Sequence, residues 1–133
     1  MLMYQDRPLP EPMITPENQA FFEATKDGRF LLRRCDDCGK AHYYPRSICP
    51  LCGSDKTQWF EANGEGEIYT YSVLRKGAPI PYCLAYVNLP EGVSVLTNIV
   101  DCDLDAVRIG QRVKVCFKPA EKGTMMPAFA PIT

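Results

Sequence analysis

The sequence has almost no net charge, since 15 lysine and arginine residues are balanced by 16 acidic residues to leave a formal charge of −1. Nothing in that total favours nucleic acid or an anionic membrane as a partner. No segment approaches the ~20 apolar residues that a membrane span needs. The N-terminus also has no apolar run after a basic start, so we predict no secretory signal. A globular protein of the cytoplasm is therefore expected.

Motifs typical of independent enzymes are missing as well. The chain contains no Gly-x-Ser-x-Gly sequence, no phosphate-binding loop and no dinucleotide fingerprint. His42 is the only histidine, so no other imidazole can act as a base beside a nucleophile. We predict no catalytic residues and no turnover by this chain alone, although it can be one subunit of an enzyme.

Cysteine, in contrast, is abundant, with seven residues. In a reducing compartment this odd number favours free thiols and metal ligands over disulfides. Four of the cysteines form two Cys-x-x-Cys pairs, Cys35/Cys38 and Cys49/Cys52, separated by ten residues. Two matched pairs at this spacing are typical of a metal site with four thiolate ligands.

The metal at such a site is predicted to be structural zinc. Gly39 and Gly53 directly follow the two pairs and tolerate the left-handed backbone that aims N–H groups at sulfur. Iron is the alternative metal, because four thiolates suit either ion, and a redox dithiol is a weaker one. Four protein ligands leave no open position, so the metal should stabilise a ribbon that is too small to have its own core.

The other candidate site residues are weaker. His42 lies between the cysteine pairs and could replace a ligand or meet an anion, but a packing or surface role is the better prediction. Cys83, Cys102 and Cys116 lie in or beside predicted strands without pairing spacing. We expect buried thiols there rather than a reactive nucleophile.

The N-terminal part of the chain predicts an arm followed by one helix. Residues 1–14 contain three prolines and resemble an extended arm. Thr15 is the predicted N-cap and Pro16 the first helical residue, with the helix ending at about Lys26 before Gly28. So short a helix must dock its apolar side on the chain's own core or on a partner protein.

Alternating apolar and polar residues predict five strands after the cysteine pairs. The five segments are 67–76, 82–89, 93–100, 112–118 and 127–132. Strands this short favour a small closed barrel, for which the five-stranded OB-fold is the leading candidate. We therefore predict a mainly β chain in three parts. They are an arm and helix at 1–28, a rubredoxin-like zinc ribbon at 29–62 and an OB-fold domain at 63–133.

The charge distribution argues against nucleic acid as the ligand of this barrel. Between Gly77 and Val107 the sequence has four acidic residues and no lysine or arginine. That span covers the second and third predicted barrel strands, where OB-folds usually hold oligonucleotides and phosphates require positive charge. Basic residues gather instead between positions 26 and 46, where six outnumber three acidic ones. Such a patch suits a compact phosphorylated ligand, or is ordinary solvated charge.

The order of these parts resembles a known family. The segments CDDCGKAHYYPRSICPLCGS, GEGEIYTYSVLRK and LTNIVDCD are similar to the acyl-CoA-associated OB-fold proteins with a zinc ribbon, called domain of unknown function 35. The resemblance runs from about Pro16 to Pro131. It implies a non-catalytic accessory subunit of a thiolase-family enzyme, acting on acyl-CoA thioesters within a hetero-oligomer. It also implies zinc at Cys35, Cys38, Cys49 and Cys52, but no short motif fixes the CoA contacts.

Four basic residues near the cysteine pairs are the predicted contacts for CoA phosphates: Arg33, Arg34, Lys40 and Arg46. Arginine suits phosphate oxygens through its planar fork. Exposure to solvent or contact with a partner's acidic surface is the alternative for these residues. Two other functions are left open. One is a partner of a retro-aldolase or enoyl-CoA hydratase in steroid side-chain or aromatic degradation, and the other is a stand-alone module binding acyl-CoA or nucleic acid.

Overall fold

Strands dominate the computed structural model, which describes residues 1–132. Within these residues one α-helix, α1 (Gln19–Lys26), follows the N-terminal arm. Three strands then form an antiparallel sheet with the first in the centre: β1 (Leu31–Cys35), β2 (Ala41–His42) and β3 (Thr57–Glu61). The remaining strands are β4 (Glu65–Leu74), β5 (Tyr82–Asn88), β6 (Ser94–Ile99), β7 (Arg112–Pro119) and β8 (Met125–Pro131). The predicted mainly β class is confirmed.

The strands β4 to β8 close into a barrel with the spatial order β4-β5-β6-β8-β7. All neighbouring pairs are antiparallel except β6 and β8, which meet in parallel at Ile99 and Phe129. A five-stranded barrel of this kind is the predicted OB-fold. Each of the five predicted strands overlaps an observed one, so these predictions are confirmed.

The barrel interior follows from the two-residue period of its strands. Ala85 and Val87 on β5, and Val95 and Ile99 on β6, are all at most 2% exposed. Thr97 is buried on the same side, whereas the neighbouring Tyr86 and Leu96 point outward, as the pleat requires. Burying each valine or isoleucine stabilises the barrel by roughly 1.5–3 kcal/mol. No helix among residues 1–132 is long and apolar enough to cross a bilayer.

The helix starts later than the sequence predicts. Residues 16–18 form a turn, and Asn18 rather than Thr15 is the N-cap. The Asn18 side chain turns back instead of capping: its Oδ1 accepts from the Thr15 N–H at 2.8 Å, and its Nδ2 donates to the Tyr44 hydroxyl at 2.9 Å. This buried tie to the ribbon fixes the turn and delays the helix. The predicted end is confirmed, since α1 stops at Lys26.

The apolar side of α1 docks on the chain's own core. Phe21 and Phe22 are fully buried. The Phe21 ring lies 6.1 Å from Phe30, before β1, and 5.9 Å from Tyr43 in the ribbon. Phe30 in turn lies 6.0 Å from Phe129 on β8, edge to face. Of the two predicted alternatives for the helix, its own core is correct, and this aromatic cluster joins helix, ribbon and barrel.

The N-terminal arm crosses one end of the barrel. The Tyr4 N–H donates to the Cys102 carbonyl at 2.8 Å, and Leu9 forms a parallel bridge with Ala120. Farther along, Glu11 accepts a hydrogen bond from the Lys122 N–H at 2.7 Å. The arm is therefore held at several points on the loops that flank β7.

Candidate metal centre and its surroundings

The four predicted cysteine ligands come together in one cluster. The Sγ atoms of Cys35 and Cys52 are 3.5 Å apart, and those of Cys38 and Cys49 are 3.8 Å apart. All four sulfurs lie within 4.8 Å of one another. A tetrahedral ion with bonds of about 2.3 Å requires sulfur atoms about 3.8 Å apart. The cluster therefore has the dimensions of a tetrathiolate metal site.

Two tight turns aim backbone N–H groups at the sulfurs. The Cys38 N–H points to the Cys35 Sγ at 3.5 Å, and the Leu51 N–H points to the Cys49 Sγ at 3.4 Å. Gly39 and Gly53 follow with φ of 74° and 81°. This left-handed backbone disfavours a side chain, which explains the glycine after each cysteine pair. The predicted role of both glycines is confirmed.

The electrostatics of the cluster favour a cation. The Cys35 sulfur accepts a hydrogen bond from the Cys38 N–H, and this bond lowers the pKa of the Cys35 thiol to about 7. At Cys52 the Ser54 N–H acts to lower the pKa, but the neighbouring Cys35 sulfur and burial oppose it and raise the pKa to about 12. Four thiolates this close repel one another, so they ionise together only around a positive ion. A divalent metal with four thiolates fits this donor set.

His42 lies outside this ligand set. It is buried on β2, and its Nε2 donates to the Arg46 carbonyl at 3.2 Å. Its Nδ1 is buried with no hydrogen-bond partner among the described residues. Of the packing and surface roles that the sequence leaves open for His42, the structure shows packing, since the side chain is buried.

The three remaining cysteines are poor nucleophiles. Burial raises the pKa of Cys83 to about 11, with a further contribution from Cys102. Burial also raises the pKa of Cys102 and of Cys116, and nearby aspartates add to the effect. Because the thiolate is the reactive form, these groups are largely protonated at neutral pH. Cys83 is the buried thiol that the sequence predicts, whereas Cys102 and Cys116 are half-buried.

Arg33 is held by the ribbon itself. Its guanidinium donates to the Thr57 hydroxyl at 2.7 Å and to the Thr57 carbonyl at 2.9 Å. It also lies over the Trp59 ring at 4.5 Å, and burial lowers its pKa. Thr57 in turn donates to the Ser47 carbonyl at 2.9 Å, close to Cys49. Most of the donors of Arg33 are therefore already used to connect β1, β3 and the second cysteine turn.

The other three basic residues are exposed but do not form one patch with Arg33. Arg34 alternates with Arg33 along β1, so it projects from the opposite face and lies over Phe60 at 4.3 Å. Arg46 lies 3.7 Å from Glu17. Arg34 and Lys40 make no side-chain hydrogen bond or ion pair within the described part of the chain. Of the four predicted CoA contacts, Arg33 and Arg46 are thus paired with other side chains of this protein. Arg34 and Lys40 have no such polar partner within the described residues.

Thr57 is the site residue that sequence analysis misses. It carries no motif, and only the pairing of β1 with β3 brings it beside Arg33. Its one sequence signal is its position as a polar residue opening a strand that reads TQWFE.

Comparison with known proteins finds a matching family model for each of the two main parts of the chain. One family model, described as "ChsH2, rubredoxin-like zinc ribbon domain", matches residues 22–58. A second, described as "ChsH2, C-terminal OB-fold domain", matches residues 59–118. Together they cover the cysteine cluster and most of the barrel.

Related proteins are components of several enzymes. The chain is 34% identical to a probable enoyl-CoA hydratase alpha subunit of Thermomonospora curvata, over 92% of this chain but only 40% of that protein. It is 29% identical to the benzoylsuccinyl-CoA thiolase subunit BbsA of Geobacter metallireducens, over 82% of this chain and 77% of that protein. A solved structure titled "Ltp2-ChsH2(DUF35) aldolase" contains a chain that is 34% identical. The match covers 91% of this chain and 98% of that one, with a TM-score of 0.78.

Proposed function

Because this chain belongs to the ChsH2 (DUF35) family of zinc-ribbon and OB-fold proteins, we propose that it is a non-catalytic accessory subunit of an enzyme complex acting on acyl-CoA thioesters. The observation that carries the proposal is the continuous match over residues 22–118, which includes both the cysteine cluster and the barrel. The proposed partner is a thiolase-family enzyme that performs thiolysis or acyl transfer. The complex is a hetero-oligomer of the cytoplasm.

A structural zinc ion held by Cys35, Cys38, Cys49 and Cys52 is part of the proposal. The sulfur spacing supports it, as does the crowding of four thiols that can ionise together only around a cation. Four thiolate ligands leave the metal closed to substrate. The ion would therefore hold the two cysteine turns against β1 and β3 and take no part in the reaction.

Two of the four predicted CoA contacts are supported by their surroundings. Arg34 is exposed and its guanidinium lies 4.3 Å from the centre of the Phe60 ring, a contact that restrains the side chain while its donors make no hydrogen bond within the described residues. Lys40 is exposed on the turn that follows the first cysteine pair. Arg33 and Arg46 are engaged by Thr57 and Glu17. We therefore assign phosphate contact to Arg34 and Lys40, and a positioning role in the ribbon to Arg33.

A second candidate partner is a retro-aldolase or an enoyl-CoA hydratase. It is favoured by the identity of 34% both to a chain of the aldolase structure and to the hydratase subunit, against 29% to the thiolase subunit. The match to the chain in the aldolase structure also covers 98% of that chain. Both candidates give this chain the same accessory role and differ only in the reaction of its partner.

The proposed function is tested by turnover of acyl-CoA substrates by the purified chain, by its enzyme partner and by the two together. We expect no turnover by the chain alone. The partner's activity should fall at least about ten-fold when the chain is omitted. In the same complex Arg34→Ala should raise the KM for a CoA ester about ten-fold, because a charged hydrogen bond is lost, and leave the matching pantetheine ester unaffected.

Arg29→Ala is the control, since Arg29 is an exposed ribbon arginine paired with Glu61 at 2.9 Å. It should change neither KM. Equal losses on both substrates for Arg34→Ala would assign Arg34 to the ribbon's structure. Turnover by the isolated chain, or a partner that works equally well without it, would contradict the accessory role.

A further inference from the structure

Two neighbouring rows of residues on the outer surface of strands β4, β5 and β6 carry no charge, and the next row begins with Glu67. The strand registers place Thr70 opposite Tyr86, and Tyr86 opposite Leu96. In the next row Ser72 pairs with Leu84, which pairs with Asn98. Residues paired across neighbouring strands project to the same side of a sheet. We call this surface the sheet face: Thr70, Ser72, Leu84, Tyr86, Leu96 and Asn98.

Large apolar side chains on the sheet face are open to solvent. Tyr86 is 45% exposed and Leu96 is 54% exposed. A shallow concavity of about 250 Å³ lies between them and Leu84, bordered by Tyr71. Tyr69, the extra residue of a bulge in β4, is 62% exposed at the same strand. Exposed tyrosine and leucine in a concave, rigid surface are typical of protein interfaces.

No other part of the described chain covers this surface. The helix α1 packs against β8 and β1, and the arm forms hydrogen bonds with residues between Cys102 and Thr124. The arm also reaches β5 beside the sheet face, where the Arg7 guanidinium lies 3.9 Å from the centre of the Tyr82 ring. The sheet face is therefore uncovered in residues 1–132 taken alone.

The lack of charge on the sheet face indicates which kind of partner can bind there. All six residues of the sheet face are uncharged, and no lysine or arginine occurs between Gly77 and Val107. A nucleic acid or another phosphate-rich ligand would find no positive group among these six residues, and Arg7 beside them already lies over the Tyr82 ring. An uncharged, largely apolar protein surface is complementary, because neither side would bury an unpaired charge.

We propose that the sheet face docks on an uncharged, apolar surface of the catalytic subunit of the acyl-CoA enzyme complex. This inference rests on the proposed function and adds to it the surface through which assembly takes place. A different chain is favoured over a second copy, because the solved structure with a chain 34% identical to this one is titled with two components, Ltp2 and ChsH2(DUF35). Tyr86 and Leu96 are the central residues of the contact.

The experiment starts from the complex purified from its source organism through a tag on this chain, with the companion identified by mass spectrometry. The two subunits are then separated, and their affinity is measured by biolayer interferometry. Tyr86→Thr and Leu96→Thr remove apolar area but keep residues that favour strands. Ile109→Thr is the matched control, since Ile109 is 68% exposed outside the sheet face. Zinc content and the unfolding midpoint verify that each variant folds.

Each sheet-face variant should raise the Kd at least ten-fold, and Ile109→Thr should leave it unchanged. Wild-type affinity in both folded variants would overturn the inference while leaving the accessory role intact. A homodimer seen by sedimentation and abolished by both variants would assign the face to a second copy, and so would also overturn it. If no acyl-CoA enzyme subunit accompanies the wild-type chain, the proposed function itself fails and this inference fails with it.

Discussion

Cys35 and Cys52 illustrate how a pair of short turns creates a site suited to a metal ion. Their sulfurs are 3.5 Å apart, and the thiol pKa values of about 7 and about 12 have moved in opposite directions. Only one of two such neighbours ionises readily without a cation. The local spacing of the cysteines is thus sufficient to predict the cluster, because each turn is built from four consecutive residues.

Loss of one thiolate should remove the metal. In Cys49→Ser we expect zinc to fall from about one ion per chain to a small fraction. The ribbon should unfold locally, because metal binding supplies much of its folding free energy. Atomic absorption and thermal unfolding check both points. Cys116→Ser, which changes a half-buried thiol away from the cluster, should keep its zinc; full zinc content in Cys49→Ser would refute the ligand assignment.

Arg33 shows where residue-scale prediction from sequence stops. Its charge and its position beside Cys35 suggest a ligand contact, and in the sequence it cannot be told apart from Arg34. The difference depends on Thr57, which lies 24 residues away and meets Arg33 only through the pairing of β1 with β3. Local patterns contain no information about such a contact.

At the scale of elements, strands are better predicted than the helix start. The strands β5 and β6 and the first residues of β4 and β7 alternate between more and less buried residues, and this period is visible in the sequence. The strand β8 does not alternate, since it buries Ala128 and Phe129 in succession. The start of α1 depends on Asn18, whose side chain bonds to Tyr44 in the ribbon. This distant contact overrides the capping preference of Thr15. The division of the chain at residues 28 and 62 stays a prediction, because the aromatic cluster packs across both boundaries.

The N-terminal arm is attached to the barrel partly through the Glu11 carboxylate. The Glu11 carboxylate accepts hydrogen bonds from the Thr124 hydroxyl and the Lys122 N–H, and these bonds lower its pKa. Because the pKa of Glu11 is lower in the folded protein than in the unfolded chain, its ionised carboxylate stabilises the fold at any pH above the ordinary glutamate pKa. This stabilisation is lost as the pH falls through the folded-state pKa. Glu11→Gln should therefore lower the unfolding midpoint at pH 7, and the difference from wild type should shrink below about pH 4.

Thermal unfolding of both proteins from pH 7 to pH 3 measures this difference at each pH, so effects common to both proteins cancel. Glu121→Gln is the control, because the Glu121 carboxylate makes no hydrogen bond or ion pair within residues 1–132. It should match wild type throughout. A difference between Glu11→Gln and wild type that is constant with pH would mean that the carboxylate does not hold the arm through its charge.

At the scale of the whole molecule, a small ribbon packs against a barrel through shared aromatic residues. Phe30 connects the two by contacting both Phe21 and Phe129. The exposed features lie on different surfaces: Arg34 and Lys40 on the ribbon, and the sheet face on the barrel. An accessory subunit needs both a docking surface and a fixed position for any group that meets the substrate. The proposed tetrathiolate metal site and the aromatic cluster would supply such a fixed position at little cost in ordering entropy.

The central claim is that this chain works as the accessory subunit of an acyl-CoA enzyme. Native mass spectrometry of the protein isolated from its source organism tests it most directly, because composition, stoichiometry and bound metal are read from one intact assembly. The account predicts a hetero-oligomer in which each copy of this chain carries about one zinc ion and is matched by a catalytic subunit of an acyl-CoA enzyme. A zinc-free chain, or one found alone or only with copies of itself, would contradict it.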